Sequence, residues 1–223
     1  MVYLSVFGLI LSEKKVFKSL KQDFGMLHKY RVVVIIIIGI LTLIAASPIL
    51  STMLVIPRTE FYTEFWMLDS NHKADNYPFN ITRNQNYGVF LGIRNRLGYA
   101  AHYVVEVKFR NQTQPAPSSF NHTPSSLPSL LNITAFVADE ELWELPLALS
   151  FDFESEKMPL QMKFHSLRLN EAVLDLSNLT VSWDSKKSCF LGNLVFELWI
   201  HNNTSSSFEY HNRFVSLWVN MTA

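Results

Sequence analysis

The sequence predicts an all-β domain, an antiparallel immunoglobulin-like β-sandwich, following one N-terminal transmembrane helix. Three observations predict it. Residues 32–56 form an apolar run of 25 residues without a charge. After Pro57 apolar and polar residues alternate, as strands with one buried face require. All sixteen asparagines lie beyond the run, and eight of them begin an Asn-x-Ser/Thr triplet.

The run "VVVIIIIGILTLIAASPILSTMLVI" has the length of a membrane span. At about 1.5 Å per residue it covers roughly 37 Å, against about 30 Å of hydrocarbon. A soluble core helix would be shorter and would keep a polar stripe. Here the polar side chains are Thr42, Ser47, Ser51 and Thr52, whose hydroxyls can bond back to their own helix. Pro48 is costly inside a soluble helix but tolerated in spans, and it predicts a kink. Ala45-Ala46-Ser47 has the small residues of a cleavage site. A secretory signal, however, would have a shorter apolar core and fewer residues ahead of it.

Flanking charge sets the direction. Residues 1–31 hold Lys14, Lys15, Lys18, Lys21, Lys29 and Arg31 against Glu13 and Asp23, a net of +4. The chain totals zero, which leaves −4 for residues 32–223. Basic flanks stay cytoplasmic. The expected layout is a cytoplasmic segment 1–31, a span 32–56 and an extracellular domain 57–223. Within residues 12–28, Val16, Phe17, Leu20, Phe24 and Leu27 share one helical face, with lysines mostly opposite. That is the pattern of a basic amphipathic helix on the inner leaflet. Residues 1–11 are apolar but too short to span, and could extend that helix or pack against another subunit.

The triplets begin at Asn80, Asn111, Asn121, Asn132, Asn178, Asn202, Asn203 and Asn220, and seven of the nine threonines after residue 56 sit two places beyond an asparagine. Roughly two or three triplets would arise by chance, so eight predict N-glycan acceptors on an exported surface. Asn202 and Asn203 overlap, so crowding should admit one glycan there. Cys189 is the sole cysteine and excludes an intrachain disulfide. Followed by Phe190 and Leu191, it reads as buried and inert.

The strands follow in order. Residues 59–68 put Phe61, Thr63, Phe65 and Met67 on one face, and "DSNHKADNYP" turns the chain. Residues 87–95 form a strand, "RLGYA" reads as a hairpin turn, and residues 101–110 alternate Tyr103, Val105, Val107 and Phe109 with Val104, Glu106 and Lys108. Residues 111–131, rich in Ser and Pro, should make a long exposed loop. Strands resume at "NITAFVA", "LPLALSFDF" and "LQMKFHSLRLN". "EAVLDLSNL" fits a short helix or an irregular edge. "NLVFELWIHN" and "FEYHNRFVSLWVNM" form a hairpin across "NTSSS". Seven or eight short strands with little helix make a sandwich. Trp66, Trp143, Trp199 and Trp218 read as core or rim, and Trp183 as exposed.

"TEFYTEFWMLDSNHKADNYPFNITRNQNYGVFLGIRN" followed by "YVVEVKF", and "LVFELWIHN" with "NRFVSLWVNMT" at the far end, resemble an uncharacterised family of archaeal membrane proteins, domain of unknown function 1616. The resemblance implies an envelope-anchored β-sandwich and no assigned activity. Two departures stand out. Members often carry several spans where this chain has one, and "DSNHKAD" replaces the usual glycine of the first turn.

Catalytic motifs are missing: there is no HExxH, phosphate loop, GxSxG or CxxC. No cofactor is expected. Of seven scattered histidines, His201 and His211 could face each other across the last hairpin, but no third ligand completes a metal site. Asp139, Glu140 and Glu141, beside Trp143 and Glu144, could supply a glycosidase carboxylate pair or a weak calcium site, yet read best as a solvated turn. The acidic outer segment excludes nucleic acid as a partner. The reading is a single-pass, N-glycosylated, non-enzymatic module of the archaeal cell envelope. Its partners are the lipid bilayer and a neighbouring envelope protein or glycan, with no oligomeric state fixed. An accessory subunit of a larger membrane complex is the second reading, and an envelope glycan hydrolase a distant third.

Overall fold

The computed structural model describes residues 30–53, 60–157 and 160–222. The chain divides into two compact units, residues 1–59 and 60–223. The amphipathic reading of residues 12–28, the apolar residues 1–11 and the end of the apolar run lie outside the described residues.

In the first unit, helix α1 spans Arg31–Met53, 23 residues, with Pro48 inside it. No residue of the apolar window Arg31–Pro48 is buried, and Val32, Ile35, Leu43 and Ile44 are each more than half exposed. The Thr42 hydroxyl donates to the Ile38 carbonyl at 2.7 Å, satisfying itself within the helix as expected. A helix this long and apolar can cross a membrane, and a signal sequence has the same character.

The second unit is a two-sheet sandwich. Its strands are β1 (Tyr62–Asp69), β2 (Asn80–Thr82), β3 (Tyr87–Arg96), β4 (Ala101–Asn111), β5 (Leu131–Val137), β6 (Leu142–Lys157), β7 (Leu160–Leu169), β8 (Ala172–Asp175), β9 (Thr180–Ser182), β10 (Leu191–Asn202) and β11 (Ser207–Thr222). One sheet runs β1-β3-β6-β7-β8, with β9 also on β7. The other runs β2-β11-β10-β4-β5. Pairing is antiparallel except where β2 joins β11 in parallel. The all-β sandwich predicted from alternation is what forms.

Alternation also selects the core. Leu91 and Ile93, Phe151 and Leu149, and Phe164 and Leu167 face Tyr103, Val105, Val107, Leu194, Phe196 and Leu198 in one buried cluster. Phe109 and Phe164 meet edge-on at 4.9 Å, with Phe151 and Phe153 about 6 Å from Phe164. Gly192 makes room for that cluster, since a Cβ there would lie 2.4 Å from the Phe109 ring.

Four features depart from the sequence reading or decide between its alternatives. "RLGYA" is not a hairpin turn: β3 and β4 belong to different sheets, and the segment carries the chain across the core. Buried Asn95 holds the crossing. Its Nδ2 donates to the Tyr99 and Val137 carbonyls at 2.7 and 2.9 Å, and its Oδ1 accepts from Leu97 N–H. Gly98 sits at φ +82° and donates its N–H to Asp139, a conformation glycine adopts without strain. Secondly, the segment 111–131 does not stand free. It folds over the outer face of the five-stranded sheet and buries Ser125. Thirdly, residues 172–182 form two short strands, β8 and β9, both on β7, so of the two alternatives for this segment the edge holds and the helix does not. Fourthly, β2 is a three-residue strand too short to show a period.

Candidate functional site

All eight triplet asparagines are exposed or half-buried. The fully buried asparagines, Asn95 and Asn193, begin no triplet. Asn80, Asn121, Asn132, Asn178 and Asn203 are exposed, whereas Asn111, Asn202 and Asn220 are partly covered. Seven belong to the five-stranded sheet and its connections, while Asn178 lies between β8 and β9. Several are tied into local structure. Asn111 Oδ1 accepts from the Thr113 N–H and hydroxyl and the Gln114 N–H, closing a turn on itself. Asn220 donates to Asn80 Oδ1 at 2.8 Å and accepts from Phe190 N–H at 3.1 Å. Asn202 donates to Glu209 at 2.8 Å.

The outer face of the five-stranded sheet is the most elaborate polar surface. Lys108 on β4 and Glu197 on β10 point outward by alternation, yet only 3% and 0% of their surfaces are exposed. Lys108 Nζ donates to Glu197 Oε2 at 2.8 Å and to the Ser125 carbonyl at 3.0 Å, and pairs with Glu106 at 3.0 Å. Glu197 Oε1 accepts Ser125 N–H at 2.7 Å. The Ser/Pro-rich segment is therefore fastened through one serine to a buried ion pair. Each charge has several partners, the condition under which burial is tolerated.

A second polar chain joins the two sheets through the core. His211 Nε2, Thr63 Oγ1, Tyr103 OH and Asn95 Oδ1 follow one another at 2.9, 2.9 and 3.2 Å. Tyr103 donates to the Asn95 oxygen, so it must accept from Thr63. Thr63 then has no proton left, so His211 must donate from Nε2. Burial, aided by the Arg213 charge, lowers the His211 pKa to about 4, which keeps the ring neutral at pH 7. Burial likewise raises the Tyr103 phenol.

His201 and His211 do not face each other, contrary to the sequence reading. The register slips between Leu198 and Trp199, so Leu198 pairs with Arg213 but Trp199 pairs with Tyr210. His211 shares the inward parity of Val215, Leu217 and Val219 on β11, whereas His201 lies on the outward parity of β10. His201 instead sits outside with His102 at 6.3 Å and Phe208 at 5.3 Å. Among the described residues no group of three His, Cys, Asp or Glu could hold a metal ion.

The acidic run acts as a structural turn. Asp139 accepts Gly98 N–H at 2.9 Å, Glu140 N–H donates to the Asn95 carbonyl, and the Glu141 carbonyl accepts Asn95 N–H. The three residues dock the β5–β6 connection on the sheet crossing. Cys189 is free and buried, as its apolar neighbours suggested. Trp183 is exposed as expected, but Trp218, read as core or rim, is 39% exposed. Sequence reasoning also missed the Lys108–Glu197 pair. Its members alternate as surface residues do, and neither strand signals that a loop will cover them.

The architecture defines a β-sandwich domain behind one apolar helix. Residues 57–165, from β1 into β7, match the family model described as "Domain of unknown function (DUF1616)". No curated protein matches the chain. Among solved structures, a β-glucosidase from Listeria innocua with bound glucose is similar at a TM-score of 0.35 and 12% identity, over 74% of this chain and 17% of that one. The same enzyme with gluconolactone gives 0.35 and 11%. Likenesses this weak bear on neither activity nor substrate.

Proposed function

We propose that this chain is a single-pass membrane glycoprotein of an archaeal cell envelope, with its N-terminus cytoplasmic and its sandwich outside the cell. It acts there as a non-enzymatic binding or structural module toward an envelope protein or glycan. The observation that carries the reading is one of sidedness. An uncovered apolar helix separates a +4 segment from a domain holding all eight glycan-acceptor triplets, none of them buried. The polar clusters fit a structural role. The acidic residues close a turn, His211 is a neutral donor within the core, and Lys108 holds down a loop. The domain thereby presents a rigid surface of loops and edge strands, where binding residues tend to concentrate.

The test is glycopeptide mass spectrometry on the protein purified from its own membranes. Exposed Asn121, Asn132 and Asn178 are expected to carry sugar. An unmodified protein would remove the glycoprotein assignment and the main support for an external domain.

A further inference from the structure

One corner of the outer face of the five-stranded sheet gathers positive charge, and its nearby carboxylate, Asp184, is taken up by the backbone N–H groups of Lys186 and Lys187. Trp218 on β11, Asn193 on β10 and Arg110 on β4 stand in one lateral row across three strands. The Arg110 guanidinium lies over the Trp218 indole, 5.4 Å from its centre, and Lys187 of the β9–β10 loop lies 5.8 Å from the same centre. Arg110 is 8% exposed, its Nε has no hydrogen-bond partner, and the Asn193 Oδ1 beside it is also unpaired. Among the described residues neither cation forms an ion pair with a carboxylate. Elsewhere on this face the buried cation, Lys108, has two.

Beside Trp218 opens a cavity of about 410 Å³, walled by Phe79, Lys187, Ser188, Leu191 and Asn220. That volume lies within the usual range for small-ligand sites. Phe79 is 47% exposed and Trp218 is 39% exposed, so two aromatic surfaces stand open where apolar side chains normally hide. The site offers flat aromatic surface, an amide, a hydroxyl and an ammonium that is in no ion pair among the described residues. Its complement has an apolar C–H face, ring hydroxyls and one carboxylate. A single-stranded nucleic acid would need a basic groove tracking its backbone, which a compact cavity with one lining lysine does not supply.

We infer that this cavity binds an acidic saccharide, with the sugar ring against Trp218 and Phe79 and its carboxylate on Lys187. The ammonium makes a charge-assisted bond, and Arg110 adds positive potential from behind the indole row. Two sources could supply such a sugar. One is a separate envelope polysaccharide. The other is the chain's own glycan on Asn80 or Asn220, whose side chains touch at the cavity wall. The second source rests on the glycoprotein reading above, whereas the first does not.

The test uses the full chain in detergent micelles, made in a host that adds no N-glycans, and titrated with trigalacturonate by calorimetry and tryptophan fluorescence. Saturable, salt-sensitive binding is expected, at least tenfold tighter than maltotriose or triglutamate. Trp218→Ala and Lys187→Gln should each weaken it tenfold or more without shifting the thermal midpoint, and Trp183→Ala should leave it unchanged. The inference is overturned by any of three results: no binding at millimolar trigalacturonate, equal binding of maltotriose or triglutamate, or full binding in both cavity variants. Protein purified from native membranes then separates the sources. If it binds trigalacturonate only after Thr82→Ala or Thr222→Ala removes the Asn80 or Asn220 triplet, the native occupant is the chain's own glycan. If it binds without either change, the occupant is external. A native protein that carries no sugar by mass leaves the external source standing.

Discussion

Replacing Lys108 with methionine should be among the most damaging single changes in the sandwich. Methionine keeps most of the volume but removes the charge and three contacts, to Glu197, Glu106 and the Ser125 carbonyl. Glu197 is left fully buried with only the Ser125 N–H. Breaking one side of a buried ion pair typically costs about 3–5 kcal/mol. A domain this size holds about 5–15 kcal/mol in total. At roughly 2–4 °C per kcal/mol, the thermal midpoint should fall by about 6–20 °C. Replacing both partners together, Lys108→Met with Glu197→Leu, removes the stranded charge and should recover most of the loss, since an apolar pair often does as well as a buried ionic one. The assay is a double-mutant cycle followed by thermal and urea unfolding. Limited proteolysis at the 111–131 segment reports whether its fastening has gone. A single-mutant loss below about 1 kcal/mol would refute the reasoning, because exposed pairs are worth that little. So would a double mutant worse than the sum of the singles.

Other consequences can be measured on the same protein. His211 has a native pKa lowered to about 4 against an ordinary 6.5. The native state therefore binds fewer protons, and stability is full above 6.5 and lost as pH falls toward 4. The loss reaches at most about 3 kcal/mol. His211→Gln, which keeps a donor toward Thr63, should flatten that part of the midpoint-against-pH curve. Asn95→Ala strands the Tyr99 and Val137 carbonyls, the Leu97 N–H and the Tyr103 hydroxyl. At about 1–3 kcal/mol per unsatisfied group it should cost more than about 3 kcal/mol in urea unfolding. Gly192→Ala pushes a methyl to 2.4 Å from the Phe109 ring and should cost about 1–3 kcal/mol. Gly88→Ala, with its nearest neighbour at 3.7 Å, should be far milder in the same melt.

Much of this fold could be read from the sequence because strand periodicity is a local signal. The alternation of Tyr103, Val105, Val107 and Phe109 gave both the strand and its buried face. Its failures have a common physical origin. "RLGYA" has the composition of a hairpin turn, and whether the next strand pairs with the last or crosses the core depends on Asn95 reaching Val137, 42 residues away. The composition of residues 111–131 signals surface, and surface is largely what they occupy. That they also cover an ion pair depends on Ser125 meeting Glu197, 72 residues later. His201 and His211 fall on opposite faces because which parity of β11 meets which parity of β10 is set by the register of the hairpin and not by the residues' own spacing. The acceptor triplets were legible because three adjacent residues define them. The Trp218 cavity was not, because Phe79, Lys187 and Trp218 meet only in the folded sheet.

The central claim is that the apolar helix crosses the membrane with the sandwich outside. Its most direct test is labelling of introduced cysteines on intact cells with a membrane-impermeant maleimide. The native thiol, Cys189, is buried and gives little background. Ser126→Cys, exposed on the sandwich, should label on intact cells, and Lys21→Cys, ahead of the helix, only after lysis. Labelling of Lys21→Cys on intact cells, with Ser126→Cys silent until lysis, would contradict the account.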